Sequence, residues 1–118
     1  MSVIRRQRQK LLIIEPDELT RWSIKSYFVN SFDVRAADSV ATACRLLKES
    51  PADAVVVAEA WPNHGADTVE QCARQHNANV TVVRTVTAPP APPSESTRAI
   101  RLEKPFELSS LADLLGAR

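Results

Sequence analysis

Four short segments carry carboxylate, hydroxyl or cationic side chains and lie just after apolar runs. They are Glu15 to Asp17, Ala58 to Trp61, Arg84 to Thr87, and Glu103 to Pro105. Carboxylate, hydroxyl and cationic side chains can act as nucleophiles, as acids or bases, or as groups that neutralise charge. These segments are therefore where a functional site is to be sought.

Other common chemistries lack the residues they need. The chain holds 2 glycines, Gly65 and Gly116, which cannot build a glycine-rich phosphate loop, so a dinucleotide-binding or P-loop enzyme is excluded. It also holds 2 cysteines, Cys44 and Cys72, whose spacing to the histidines matches no zinc pattern. We expect both thiols to be small, inert residues on inward helix faces, and we expect no bound metal.

The composition is that of one ordinary soluble domain. The 118 residues carry 15 lysines and arginines against 14 acidic residues and are 44% hydrophobic, which suits a single core without disulfides or metals. No apolar run approaches the roughly 20 residues of a membrane span, and the N-terminus lacks the apolar core of a secretory signal. We therefore expect a cytoplasmic location and no membrane partner.

Basic charge is concentrated at the start of the chain. Arg5, Arg6, Arg8 and Lys10 give the first ten residues a charge of +4, which leaves the rest at −3. Basic arms can bind phosphate backbones, but no aromatic residue is interleaved with these charges, so a solvated leader is favoured over nucleic-acid binding. The chain is therefore divided into a basic leader, 1–9, and a globular domain, 10–118.

Apolar runs and helical periodicities alternate along the chain. Strands are predicted at 10–14, 32–36, 54–57, 80–83 and 99–102. Helices are predicted to open near Asp17 or Glu18, Asp38 or Ser39, Asp67, and Glu107. This alternation implies right-handed crossovers and a doubly wound α/β fold with a mostly parallel sheet. Sites in such folds lie at the carboxyl ends of the strands, where the four segments fall.

Each predicted helix has an apolar face for the sheet. The inward residues are Thr20, Ile24, Tyr27 and Phe28 on the first helix, Val40, Ala43, Cys44 and Leu47 on the second, Val69, Cys72, Ala73 and His76 on the third, and Leu108, Leu111, Leu114 and Leu115 on the last. This pattern turns Trp22 outward. An exposed tryptophan is typical of protein interfaces, and the alternative is a ring that lies flat over its own helix.

A proline-rich segment separates the fourth and fifth strands. Four of the five residues 89–93 are prolines, which fix φ and remove amide donors, so no helix can run through them. A stiff surface loop is favoured over a docking segment.

Three of these features together resemble the response-regulator receiver (CheY-like) domain. They are the acidic turn Glu15-Pro16-Asp17 after the first strand, Trp61-Pro62 after the third, and Lys104-Pro105-Phe106 after the fifth. The resemblance spans residues 10–116 and implies a flavodoxin-like (βα)5 fold with strand order 2-1-3-4-5, whose fourth helix is lost or shortened by the prolines. It also implies a phosphorylation pocket, with an acidic pair for Mg²⁺, a phosphoacceptor aspartate, a hydroxyl and a lysine for the phosphoryl oxygens, and an aromatic switch residue.

The chain departs from that pocket at most positions. The resemblance places Glu15 and Pro16 at the acidic pair, with Asp17 as a partial substitute, Ala58 at the phosphoacceptor, Arg84 or Thr85 at the hydroxyl, Arg101 at the switch and Lys104 at the lysine. A methyl group cannot be phosphorylated, and the side chain of Pro16 cannot ligate Mg²⁺. We therefore predict a degenerate receiver that is not regulated by aspartate phosphorylation, binds no Mg²⁺ or other cofactor, and pairs Lys104 with Glu15, Asp17 or Glu59.

The resemblance implies a regulatory module and not an enzyme. We expect contacts with a protein partner, a fused output domain or a second copy, through Trp22, Trp61, Arg101 and the face near residues 86–103. For Trp61, simple packing is favoured over a ring that caps or fills the emptied pocket. The expected whole is a transcriptional or other response regulator that begins at Met1, with nucleic acid bound only by an output domain outside this chain. The alternative is an active phosphoacceptor that uses Glu59, one residue past the family position and thus on the other face of the strand, or Asp17.

Overall fold

Five parallel strands form one sheet in a computed structural model that describes residues 8–87 and 99–116. The strands are β1 (Lys10–Ile14), β2 (Asp33–Ala37), β3 (Ala54–Ala58), β4 (Thr81–Thr87) and β5 (Ile100–Lys104). Their order is β2-β1-β3-β4-β5, and each neighbouring pair is parallel. The predicted flavodoxin-like order is confirmed.

Four helices lie within the described residues: α1 (Glu18–Phe28), α2 (Val40–Glu49), α3 (Gly65–His76) and α4 (Leu108–Leu115). The helix predicted to be lost or shortened belongs to residues 88–98, which lie outside the described part, as does most of the basic leader. No described helix is long and apolar enough to cross a membrane.

The sheet carries a hydrophobic core on each face. Because side chains alternate along a strand, Leu12 and Ile14 of β1 pack under α2 and α3, whereas Leu11 and Ile13 pack under α1 and α4. All four are buried. This two-sided burial explains why the first strand is an uninterrupted apolar run.

The helix ends correct one predicted boundary and confirm another. The α3 helix begins at Gly65 and not near Asp67, because Asn63 and His64 adopt left-handed φ values of 58° and 57° that turn the chain early. The α4 helix ends at Gly116 as predicted, with a φ of 72° that suits glycine.

Three other predictions about burial and length were wrong. Tyr27 and His76 are exposed, while Glu70 is buried on α3. The β4 strand continues to Thr87, four residues beyond its predicted end. Its polar residues Arg84 and Thr85 stay inside the strand because both are buried against the covering elements.

Candidate functional site

The carboxyl edge of the sheet holds two separate polar groups. One is the Glu15 pair, which consists of Glu15 and Lys104. The other is the arginine cluster, which consists of Glu59, Asp67, Glu70, Arg74, Arg84 and Arg101. These two groups contain all the carboxylate and cationic residues that were predicted for the pocket, except Asp17.

Glu15 stands directly after β1 with its side chain buried. Lys104 Nζ, at the end of β5, donates to Glu15 Oε1 at 2.6 Å. The second carboxylate oxygen accepts the Asp17 backbone N–H at 2.9 Å. Both oxygens of the one retained acidic residue are thus bonded within the protein.

Asp17 serves as the N-cap of α1. Its Oδ2 accepts the Thr20 backbone N–H at 2.8 Å and the Thr20 hydroxyl at 2.6 Å. The hydroxyl bond first, and the backbone bond second, lower the pKa of Asp17 below its ordinary value. This carboxylate therefore stabilises a helix end. The neighbouring Pro16 is exposed and has no side-chain oxygen.

Ala58 ends β3, fully buried, and pairs in register with Thr85 of β4. Thr85 Oγ1 has no hydrogen-bond partner within the described part of the chain. A methyl group thus occupies the phosphoacceptor position implied by the resemblance, beside a buried hydroxyl.

Trp61 packs over the end of β1. Its Nε1 donates to the Ile14 carbonyl at 3.3 Å, and its ring lies against the core under α2 and α3. A Cβ on Gly65 would meet Trp61 Cβ and Val40 Cγ2 at 2.7 Å each, so the absent side chain of Gly65 makes room for this packing. The ring is partly buried, and it packs against the core.

These residues do not fit Mg²⁺. The ion requires several free oxygens in octahedral geometry, whereas both oxygens of Glu15 are bonded, Asp17 caps α1, and Ala58 and Pro16 have no side-chain oxygen. Among the residues that the structure describes, no three histidine, cysteine or acidic side chains lie together as metal ligands.

Arg84 is the centre of the arginine cluster. Its Nη2 donates to Asp67 Oδ1 at 2.6 Å and to Glu70 Oε1 at 2.7 Å, and its Nη1 lies 3.6 Å from Glu59 Oε1. The side chain is 6% exposed. Burial alone would lower the pKa of Arg84, but hydrogen bonds to Asp67 and Glu70 outweigh it and raise the pKa above its ordinary value.

Glu59 and Glu70 extend the cluster to two further arginines. Arg101 donates to Glu59 Oε1 from Nη2 at 2.7 Å and from Nε at 3.1 Å. Arg74 Nε donates to Glu70 Oε2 at 2.9 Å. Three arginines thus meet three carboxylates, and this balance compensates the charge taken out of water.

Sequence reasoning singled out neither Glu70 nor Arg74, and it considered Asp67 only as a helix start. One signal was available: Arg84 interrupts the apolar strand β4, and a charged residue there requires partners on the covering helix. Asp67 and Glu70 are one turn apart on α3, so they share the face that meets it.

The predicted interface residues differ in environment. Trp22 is 64% exposed and Leu19, on the same helix, 71%, so the outward orientation of Trp22 is as predicted. Arg101 is bound to Glu59 with 20% of its side chain exposed. Of the proposed face near residues 86–103, the stretch 88–98 lies outside the described residues.

Comparisons with known proteins place this geometry in context. No profile of a known protein family and no curated protein matches the sequence. Among solved structures, a response regulator receiver protein from Sinorhizobium medicae is 27% identical, with 93% of this chain and 96% of that chain covered at a TM-score of 0.72.

Two further structures have the same fold at lower identity. A CheY-like response regulator receiver domain from Methylobacillus flagellatus is 22% identical, covers 93% of this chain and 98% of its own, and has a TM-score of 0.77. The chemotaxis protein CheY4 of Vibrio cholerae is 17% identical, with 92% and 97% covered and a TM-score of 0.80. The structural neighbours of this chain are thus response regulator receiver domains, matched over nearly their whole length.

Proposed function

We propose that this protein is a receiver-like module of response-regulator signalling that acts through protein contacts without phosphorylation of an aspartate. The observation that carries the proposal is the methyl group of Ala58 at the end of β3. A phosphoryl group forms a covalent bond with a carboxylate oxygen. Among the described residues nearest to Ala58, the carboxylates of Glu15 and Glu59 are both bound to cationic side chains.

The Glu15 pair supports the same conclusion. In phosphoryl transfer, a lysine neutralises charge on the transferred group. Here Lys104 neutralises Glu15 instead, at 2.6 Å. The cation and the acidic residue therefore form a structural ion pair.

Glu59, the displaced acidic candidate of the alternative function, is similarly engaged. Its Oε1 accepts two hydrogen bonds from Arg101, and Arg84 lies 3.6 Å away. Ion pairing with two guanidinium groups reduces the nucleophilicity of this oxygen. Arg101 occupies the switch position of the resemblance and is bound in that ion pair. An aromatic residue at this position would be free to reorient.

The deciding experiment is transfer of labelled phosphoryl groups from acetyl phosphate in the presence of Mg²⁺. We expect no label on the purified protein. Label that is lost on Glu59→Gln or Asp17→Asn would overturn the proposal and establish the displaced phosphoacceptor. The Glu49→Gln variant, altered at an exposed carboxylate on α2, is the matched control.

Beryllofluoride gives an independent readout in isotope-labelled protein. With Mg²⁺ present, a competent pocket responds with chemical-shift changes clustered at Glu15, Asp17, Glu59 and Lys104. We expect these resonances to stay unchanged, and clustered shifts would contradict the proposal.

The partner is proposed to be a separate protein or an output domain fused to this one, as in a transcriptional regulator of a bacterial cell, and the proposed location is the cytoplasm. The exposed pair Leu19 and Trp22 on α1 supports a contact surface. An immunoblot of source cells distinguishes the forms: a band of the size of this chain indicates a separate adaptor, and a much larger band indicates a fused regulator.

A further inference from the structure

Two thiols lie in direct contact between neighbouring helices. Cys44 of α2 and Cys72 of α3 are both partly buried, and their Sγ atoms are 2.9 Å apart. The two residues are 28 positions apart in sequence and meet only because α2 and α3 cover the same face of the sheet. Sequence analysis had treated them as separate, inert core residues.

We propose that Cys44 and Cys72 form a modification site, at which an intramolecular disulfide reversibly links α2 to α3. A disulfide bond is about 2.05 Å long, so the two sulfur atoms need to approach by less than about 1 Å. Both residues are partly exposed to solvent, so we expect a small oxidant to reach the pair without unfolding of the domain.

The oxidant class is a small-molecule disulfide such as glutathione disulfide. One cysteine thiolate attacks it, forms a mixed disulfide and releases one glutathione thiolate. The second cysteine thiolate then attacks the protein sulfur and releases the other. The two cysteines together lose two protons and two electrons, and the oxidant is reduced to two glutathione thiols, which take up those protons.

The environment of Cys44 makes this reaction slow and selective. Burial above all, and then the bond with Cys72, raise the pKa of Cys44 to about 12, so at neutral pH almost all of this thiol is protonated. A protonated thiol is a weak nucleophile and a weak metal ligand. The contact with Cys72 keeps the second sulfur within 2.9 Å for the step that closes the disulfide.

The disulfide would also restrain the position of the rest of α3. The same helix carries Asp67 and Glu70, which bind Arg84. A link that closes the chain between α2 and α3 removes conformations from the unfolded state, and we expect the oxidised domain to melt on the order of 10 °C above the reduced one.

The test incubates the whole protein with glutathione disulfide for hours and then measures intact mass, free thiols under denaturing conditions, and Tm. We expect a monomer that is lighter by two hydrogens, has no free thiol, melts at higher temperature and returns to the original mass with dithiothreitol. Cys44→Ser and Cys72→Ser, treated identically, should show no two-hydrogen loss and no gain in Tm.

Three results would overturn the proposal: two free thiols after oxidation, a wild-type protein that keeps attached glutathione, or a disulfide between two chains. An oxidised monomer with an unchanged or lower Tm would also contradict it, since the helices would then have to move apart to accommodate the bond.

Discussion

Two buried carboxylates, Glu15 and Glu70, each bind basic side chains. Glu15 holds Lys104, and Glu70 holds Arg84 and Arg74. A buried charge without a partner is far less stable than the same charge in water, so each carboxylate requires its cation. Glu15 and Lys104 stand at two pocket positions of the resemblance, and they bind each other.

The first prediction concerns Lys104. Lys104→Met leaves the buried Glu15 carboxylate without its cation, and we expect the free energy of unfolding to fall by about 2 kcal/mol, less than for a fully buried pair because Lys104 retains some exposure. Thermal and urea unfolding measure the change. Lys48→Met, at an exposed position on α2, should change stability by less than about 0.5 kcal/mol. An unchanged Tm for Lys104→Met would show that the ion pair is not structural.

The second prediction concerns Arg84. Arg84→Met leaves Asp67 and Glu70 without their central cation, and we expect a loss of about 3 to 5 kcal/mol in denaturant unfolding. The control removes the same type of side chain from an exposed pair: Arg45 lies 3.6 Å from Glu49 on the surface of α2. Arg45→Met should cost less than about 1 kcal/mol. Equal losses for the two variants would argue against the arginine cluster as a source of stability.

At the scale of elements, the four helices of the described residues do not all begin in the same way. Asp17 and Ser39 cap α1 and α2 with side-chain oxygens, whereas α3 follows a left-handed turn without a side-chain cap. A carboxylate at an N-cap accepts backbone N–H groups and favours the positive end of the helix dipole. The cap at Asp17 therefore couples the start of α1 to pH.

The third prediction follows from the sign of that coupling. The pKa of Asp17 is lower in the folded protein than its ordinary value of 3.8, so its contribution to stability is complete above that pH and is lost as the pH falls through the lower folded value. We expect Asp17→Ala to melt below the wild type at pH 6 and the difference to shrink towards pH 3. A difference in Tm that is constant with pH would show that the charge of the cap contributes nothing.

At the scale of the molecule, the sheet separates two cores, and each helix must present one buried face. On α1, Ile24 is buried in the core shared with α4, and Trp22 points to solvent. Because Trp22 is 64% exposed, this division predicts that its side chain contributes little to the core.

The fourth prediction tests this division. Trp22→Ala should change the free energy of unfolding by less than about 0.5 kcal/mol, as at other exposed positions. Ile24→Ala, two residues away on the opposite face, should cost about 2 to 5 kcal/mol because it opens a cavity. Chemical denaturation of both variants measures the difference. A large loss for Trp22→Ala would mean that the indole packs on its own domain.

Local patterns in the sequence determined most of the fold. The apolar runs at β1 and β3 predicted buried central strands because residues covered on both faces are apolar at every position. The Ser39 cap and Gly116 marked helix ends, since side-chain oxygens and left-handed φ values act within a few residues. The sequence did not predict the early start of α3, because that start depends on a turn of non-glycine residues. It also did not predict the extra length of β4, because that length depends on the burial of polar side chains.

The site was only partly accessible from sequence. The residue types alone settle that Ala58 has no carboxylate and Pro16 no side-chain oxygen. The tertiary structure decided which carboxylate binds Lys104. It also decided that Glu59 and Glu70 bind arginines and that Cys44 contacts Cys72. These partners come from different strands and helices, and only the order and register of the sheet bring them within a few ångströms of one another.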